Sequence, residues 1–316
     1  MFVKFGMGLL TCACLLLFAA VSSAQTVQPN ISFGMKPSRS TPPEVVDMSW
    51  AKDGPYGPVE GKAIKVFILS GQSNMVGQGA SRDLPVDLRR GDSRVLMFEE
   101  GRWQPLRPIG LTFGPEIAFA EAMAAAWPGE TIGIVKQAEN GTGVLAWHPQ
   151  WSFEQAQRTG DGRKGNLWKA LTEKLRTAMA AAPCELEGFI WMQGGDDMVR
   201  ADLGREYLDN LVAVVKGVRD EFDMPELGFV LGSWRNGQPD DLSTVRDTFK
   251  PRRSGTFDVL QAHYEIQKVA SPAKMVPLRD LELGPDGVHY NTNGQLELGR
   301  LLAEGYLELI SNNNGE

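Results

Sequence analysis

Five short apolar runs, separated by helix-length amphipathic stretches, leave this chain few architectures. Ile64 to Leu69, Thr131 to Val135, Gly188 to Met192, Leu227 to Leu231 and Lys274 to Leu278 are each of strand length and mostly apolar. Such runs suit strands buried on both faces of a parallel sheet. Between them, Leu167, Leu171, Leu175, Ala178 and Ala182 recur at helical spacing before Pro183, and Leu208, Leu211, Val215, Val218 and Phe222 do the same. Gly114-Pro115-Glu116 opens another helix, with proline in its first turn and an acid beside it, which Pro128-Gly129 ends. Phe257 to Val269 reads as helical, and Thr292 with Gln295 reads as a capping box for a terminal helix. This alternation predicts right-handed βαβ crossovers and an α/β domain, residues 61–316, built on a mainly parallel five-stranded sheet. Val95 to Phe98, through Glu100-Gly101 to Trp103, reads as a hairpin beside it.

The N-terminus has a different character. Lys4 precedes an apolar run from Gly8 to Val21, and Ser22-Ser23-Ala24 supplies small residues before a cut. Residues 1–24 are therefore expected to be a secretory signal peptide, which places the protein outside the cell or in a periplasm, with no membrane attachment after cleavage. Residues 25–60, rich in Pro, Ser and Gly, read as an extended leader. The chain carries 32 basic and 39 acidic residues, and removing Lys4 with the signal deepens the net charge from −7 by one. That balance disfavours nucleic acid and anionic membranes as partners. Two of the three cysteines, Cys12 and Cys14, fall within the signal, which leaves Cys184 with no partner for a disulfide. It is expected to be a buried structural thiol.

The chemistry gathers in the turns that follow the strands. The first run breaks into Ser70-Gly71-Gln72-Ser73-Asn74, the second into Glu139-Asn140-Gly141-Thr142, the third into Gln193-Gly194-Gly195-Asp196-Asp197. A fourth polar turn, Asp286-Gly287-Val288-His289, precedes the terminal helix. Parallel topology brings such turns to one edge, where α/β sheets bind ligands. Acyl transfer needs a nucleophile, a base, a group that orients the base, and oxyanion donors. Ser73 is the candidate nucleophile, although a serine there can also simply cap the next helix. His289 is the candidate base, because His148 lies in an aromatic loop and His263 in a helix. Asp286 is placed to fix its tautomer, although an Asp-x-x-His can also be a plain loop hydrogen bond. The Ser73 and Gly141 amides are candidate oxyanion donors. Gln193 is a third, or else a buried amide serving the backbone. Gln72, Asn74 and Asn140 are expected to touch substrate. Trp147 and Trp151 either stack on a sugar or cover the core, and Gly160-Asp161-Gly162 beyond them reads as flexible. Asp196 and Asp197 read as a helix-start cluster, and no His or Cys pair has the spacing of metal ligands, so no metal or other cofactor is expected.

From Ile64 to Tyr306 the chain resembles the SGNH hydrolase superfamily, and within it the sialate O-acetylesterase-like family, which includes acetylxylan esterases. Gly71-Gln72-Ser73-Asn74-Met75 matches that family's nucleophile block and is its most specific marker. Gly114-Pro115-Glu116, Asn140-Gly141-Thr142 with Trp147, Trp191-Met192-Gln193-Gly194 and Asp286-Gly287-Val288-His289 match four further blocks. The resemblance implies a flavodoxin-like three-layer α/β/α sandwich and metal-free hydrolysis of acetylated oligo- or polysaccharides through an acyl-serine. It also implies Ser73 as nucleophile, His289 as base, and Gly141 and Gln193 at the oxyanion. Two positions depart from the pattern. Gly195 stands where Glu is usual, so Asp286 must orient His289 alone unless Asp196 or Asp197 compensates. Asn140 stands where Gly is usual. Two other readings stay open: a carbohydrate-binding relative without catalysis, suggested by Gly195 and the aromatic loop, and an esterase for non-sugar short-chain esters.

Overall fold

A computed structural model of the chain describes residues 58–108, 110–234 and 253–313. The expected signal peptide, and all but the last three residues of the expected leader, lie outside the described residues. In chain order the strands are β1 (Ile64–Gly71), β2 (Gly79–Ala80), β3 (Val95–Glu99), β4 (Arg102–Pro105), β5 (Thr112–Phe113), β6 (Thr131–Ala138), β7 (Cys184–Met192), β8 (Gly228–Trp234) and β9 (Ala273–Leu278). The α-helices are α1 (Ser73–Val76), α2 (Val86–Arg90), α3 (Glu116–Ala126), α4 (Phe153–Gln157), α5 (Leu167–Ala181), α6 (Ala201–Glu221), α7 (Thr256–Val269) and α8 (Thr292–Asn313).

The central sheet has seven strands in the order β4-β3-β6-β1-β7-β8-β9, rather than the expected five. The five expected strands form its middle and one side, all parallel. The hairpin adds two more: β3 joins β6 in parallel, and β4 pairs antiparallel with β3 at the edge, so the sheet is mixed. β2 and β5 form a separate two-stranded ribbon.

Side-chain alternation along β1 explains its unbroken apolar run. Ile64, Val66 and Ile68 enter a core shared with α5, α6 and α7. Phe67 and Leu69 enter a second core, on the other face, shared with α3 and α8. Helices thus cover both faces, so β1 is apolar from Val66 to Leu69 and keeps its polar residues, Lys65 and Ser70, near its ends. Phe67 meets Phe119 and Tyr306 edge-on, with ring centroids 5.2 Å and 5.0 Å away, contacts worth about 1 kcal/mol each beyond area burial. Among the described residues no helix is long and apolar enough to cross a membrane.

β1 lies between β6 and β7. The chain runs from β1 to one side of the sheet and later to the other, so the carboxyl ends of these strands flank the point where the winding reverses. Crevices form at such points. β1 approaches β7 closely there: Gly71 has φ +140°, and a Cβ on it would lie 2.1 Å from the Met192 carbonyl oxygen. Only glycine fits.

Two local expectations are corrected. Helix α8 is capped by Asn291, whose Oδ1 accepts the Gly294 N–H at 3.0 Å. Thr292 instead accepts the Ala80 N–H at 2.9 Å, which ties the helix to β2, and the Gln295 side chain is buried. Cys184 is half-buried rather than buried; desolvation pushes its thiol up to about 11, so it stays protonated at neutral pH.

Candidate active site

A cavity of about 430 Å³ opens at the carboxyl ends of β1, β6 and β7. All four polar turns reach it: Ser73 after β1, Gly141 after β6, Gln193 after β7 and His289 before α8 line its wall.

Ser73 is the first residue of the one-turn helix α1, with Gln72 as the cap, so the capping reading of Ser73 does not hold. The Gln72 carbonyl accepts the Met75 and Val76 N–H groups at 2.7 and 2.9 Å. The amides of Ser73 and Asn74 precede those bonds and are the ones a helical turn leaves over. The turn is braced from behind by the buried pair Glu116–Lys136, 2.7 Å apart. Lys136 Nζ also donates to the Val76 carbonyl at 2.7 Å, and Glu116 accepts the Gly114 N–H at 3.0 Å. The Gly114-Pro115-Glu116 block therefore supports the serine turn.

His289 Nδ1 lies 2.6 Å from Asp286 Oδ2. Asp286 Oδ1 accepts the backbone N–H groups of His289 and Val288, both at 2.9 Å. These bonds, with that of His289 N–H the strongest, hold the Asp286 carboxyl well below the usual carboxylate range. It stays an ionised acceptor, and its hold on Nδ1 leaves Nε2 as the nitrogen free to take a proton. Asp196 and Asp197 do not share this task, since both are bonded elsewhere.

Several residues expected to touch substrate serve the scaffold, Gln72 and Asn74 doing so while they also line the cavity. Gln72 Oε1 accepts the Gly194 and Gly195 N–H groups at 3.0 and 2.8 Å, and its Nε2 donates to Asp196 at 3.1 Å. It clamps the β1 turn to the β7 turn. A Cβ on Gly195 would lie 3.1 Å from Gln72 Nε2, so a larger residue there would press on this clamp and require it to give by a few tenths of an ångström. Asn74 Oδ1 accepts the Tyr290 N–H at 3.1 Å, and its Nδ2 lies 3.5 Å from the Val288 carbonyl. It grips the chain on either side of His289. Trp147 is fully buried, edge-on to Trp191, and donates to Thr142 Oγ1 at 3.2 Å. Trp151 is half-buried against the same core. Neither tryptophan lines the cavity, and both pack in or against the core. Asn140 keeps its place at the cavity, exposed.

Gln193 follows the second of its two readings, a buried amide. Its Nε2 donates to the Thr142 carbonyl at 2.7 Å and to Asp197 Oδ2 at 2.6 Å, which uses both amide hydrogens. The side chain ties the β7 turn to the β6 turn and leaves no donor over for an oxyanion. The Ser73 and Gly141 amides remain. Beneath them, Tyr207 Oη donates to the Gln193 carbonyl at 3.1 Å, and His263 Nε2 lies 3.4 Å from Tyr207 Oη. Burial pushes His263 down to about 4, so it is neutral and structural. His148 lines a separate surface cavity.

Asp197 carried no sequence signal beyond its place in an acidic pair. It is buried, accepts from Gln193 and from the Val144 N–H at 3.0 Å, and joins the β6 and β7 turns. Burial outweighs both bonds and raises it from an ordinary 3.8 to about 7. A carboxyl raised on folding stabilises the fold fully below its unfolded value, and that contribution is lost as pH rises through its folded value. Between pH 4 and pH 7 the parent is therefore expected to lose roughly a few kcal/mol relative to Asp197→Asn. Urea unfolding of both proteins across that range measures the difference, and a constant difference would rule it out.

The comparisons with known proteins agree with this fold. A probable carbohydrate esterase from Arabidopsis thaliana is 23% identical over 266 residues, covering 77% of this chain and 90% of that protein. A solved structure of an Arabidopsis thaliana protein superposes with a TM-score of 0.62 at 22% identity, covering 78% of this chain and 99% of that one. A carbohydrate acetylesterase from Xanthomonas citri superposes with a TM-score of 0.57 at 18% identity, covering 78% of this chain and 57% of that one. The family described as carbohydrate esterase, sialic acid-specific acetylesterase, matches residues 63–308, and the chain belongs to that family.

Proposed function

We propose that this protein is a secreted or periplasmic serine esterase that removes O-acetyl groups from carbohydrates. The observation that carries the reading is that Ser73 and His289 line one cavity and that Asp286 holds His289 from behind at Nδ1. The family membership and the names of the relatives, esterases of carbohydrates, supply the substrate class. In this reading the domain is a flavodoxin-like SGNH hydrolase; the parallel middle of its mixed sheet and the helices on both faces support that assignment.

In this reading His289 Nε2 takes the Ser73 hydroxyl proton as Ser73 Oγ attacks the acetyl carbonyl. Asp286 stabilises the imidazolium. The Ser73 and Gly141 N–H groups hold the oxyanion, each worth on the order of 3 kcal/mol of transition-state stabilisation. The imidazolium then protonates the departing sugar hydroxyl, and a water activated by His289 releases acetate from Ser73. The Ser73 Oγ–His289 Nε2 hydrogen bond is expected to form in the substrate complex. The sugar rests against Gln78, Asn140, Val199, Arg253 and Val288 at the cavity wall, not against tryptophan.

Acetate release from acetylated xylan, O-acetylated sialic acid and short aryl acetates tests this directly. The account expects release, faster from at least one acetylated sugar than from its aryl counterpart. Turnover of aryl esters alone would favour an esterase for non-sugar esters. Saturable glycan binding by folded protein with no acetate released would favour a non-catalytic binding protein.

A further inference from the structure

The Gly141 amide is held in place by groups outside the cavity. Asn140 C=O and Gly141 N–H belong to one planar trans peptide, so they point in opposite directions. Whatever grips the carbonyl also aims the N–H. Lys164 Nζ lies 2.5 Å from the Asn140 carbonyl oxygen and 2.6 Å from that of Gly141. Its third contact is Asp161 Oδ1 at 3.0 Å. An ammonium has three hydrogens, and these contacts account for all of them. Asp161 is 1% exposed, and its other oxygen accepts the Gly143 N–H at 2.8 Å and the Thr159 hydroxyl at 2.6 Å. The Gly160-Asp161-Gly162 stretch that reads as flexible is thus the anchor of the β6 turn.

We infer that Lys164, seated on buried Asp161, is a positioning residue that aims and polarises the Gly141 N–H for the oxyanion. The catalytic part of this inference rests on the esterase reading above. A cation bonded to a peptide carbonyl draws electron density from the amide nitrogen, which makes its N–H a stronger donor. Lys164 itself is outside the cavity lining, so in this reading it touches the substrate only through the Gly141 N–H. Such a residue acts on kcat and leaves KM unchanged.

The test compares the parent with Lys164→Met, which keeps the aliphatic stem, and Lys164→Arg, which keeps the charge. Two quantities are read: kcat and KM on an aryl acetate, and the Gly141 amide resonance by ¹⁵N NMR. Lys164→Met is expected to lower kcat about 10- to 100-fold with KM unchanged, less than deleting a donor outright. It is also expected to move the Gly141 ¹⁵N resonance, and Lys164→Arg to recover most of both. An unmoved Gly141 resonance overturns the inference, as does a moved resonance with unchanged kcat. A parent that released no acetate would refute the esterase reading alone, because the resonance tests the grip on the peptide without any turnover.

Discussion

Ser73→Ala is expected to lower kcat for acetate release on the order of 10⁵-fold while leaving the melting temperature within about a degree or two of the parent. The size of the effect follows from the serine's role as the attacking atom, since the groups of a catalytic triad act as a unit and fail as one. The mild structural consequence follows from its surroundings. The turn α1 is closed by the Gln72 and Ser73 carbonyls and braced by Lys136, none of which involves the Ser73 hydroxyl. Residual activity above the uncatalysed rate reports the oxyanion donors working alone. Activity near the parental level would show that another residue attacks.

Asp286→Asn is expected to cost about 10³- to 10⁴-fold in kcat, by a distinct route. The asparagine can keep its oxygen on the Val288 and His289 N–H groups, as Asp286 Oδ1 does now. Its amide nitrogen then faces His289 Nδ1. A donor in that place forces the imidazole proton onto Nε2, the nitrogen that must accept the serine proton. His289→Gln removes the base itself and is expected to approach the Ser73→Ala loss. Steady-state kinetics on an aryl acetate, with circular dichroism to confirm folding, reads all three. An Asp286→Asn protein within tenfold of the parent would mean that the tautomer is fixed by something other than Asp286.

How far this site was legible in the sequence varies with the reach of each interaction. The five parallel strands were readable because burial on both faces removes polar residues from a short stretch. The β3–β4 hairpin was readable as a hairpin, but nothing local says that β3 docks beside β6, so the sheet was counted short. His289 stood out because the chain has only three histidines and this one lies in a turn, whereas Ser73 and Asp286, common turn residues by type, stood out only through the motifs around them. Gln72 and Asn74 stand in the same motif, yet their partners lie more than a hundred residues away, at Gly194 and Gly195 and at Tyr290. Adjacency to the nucleophile suggested substrate contact, whereas the polar atoms answer to backbone groups that the fold brings in. Trp147 misled for a similar reason: a tryptophan beside a polar turn has the same local sequence whether it faces solvent or the core. Asp161 and Lys164 carried no signal, because flanking glycines look alike in a loose loop and in a tightly held one.

The central claim is that Ser73 carries the acyl group, and covalent capture tests it most directly. The full-length protein would be treated with a fluorophosphonate ester and its peptides mapped by mass spectrometry. The account predicts one phosphonyl group per chain, on Ser73, with acetate release lost in step with labelling. Loss of activity with the label on any other residue, or full activity with Ser73 labelled, would contradict it.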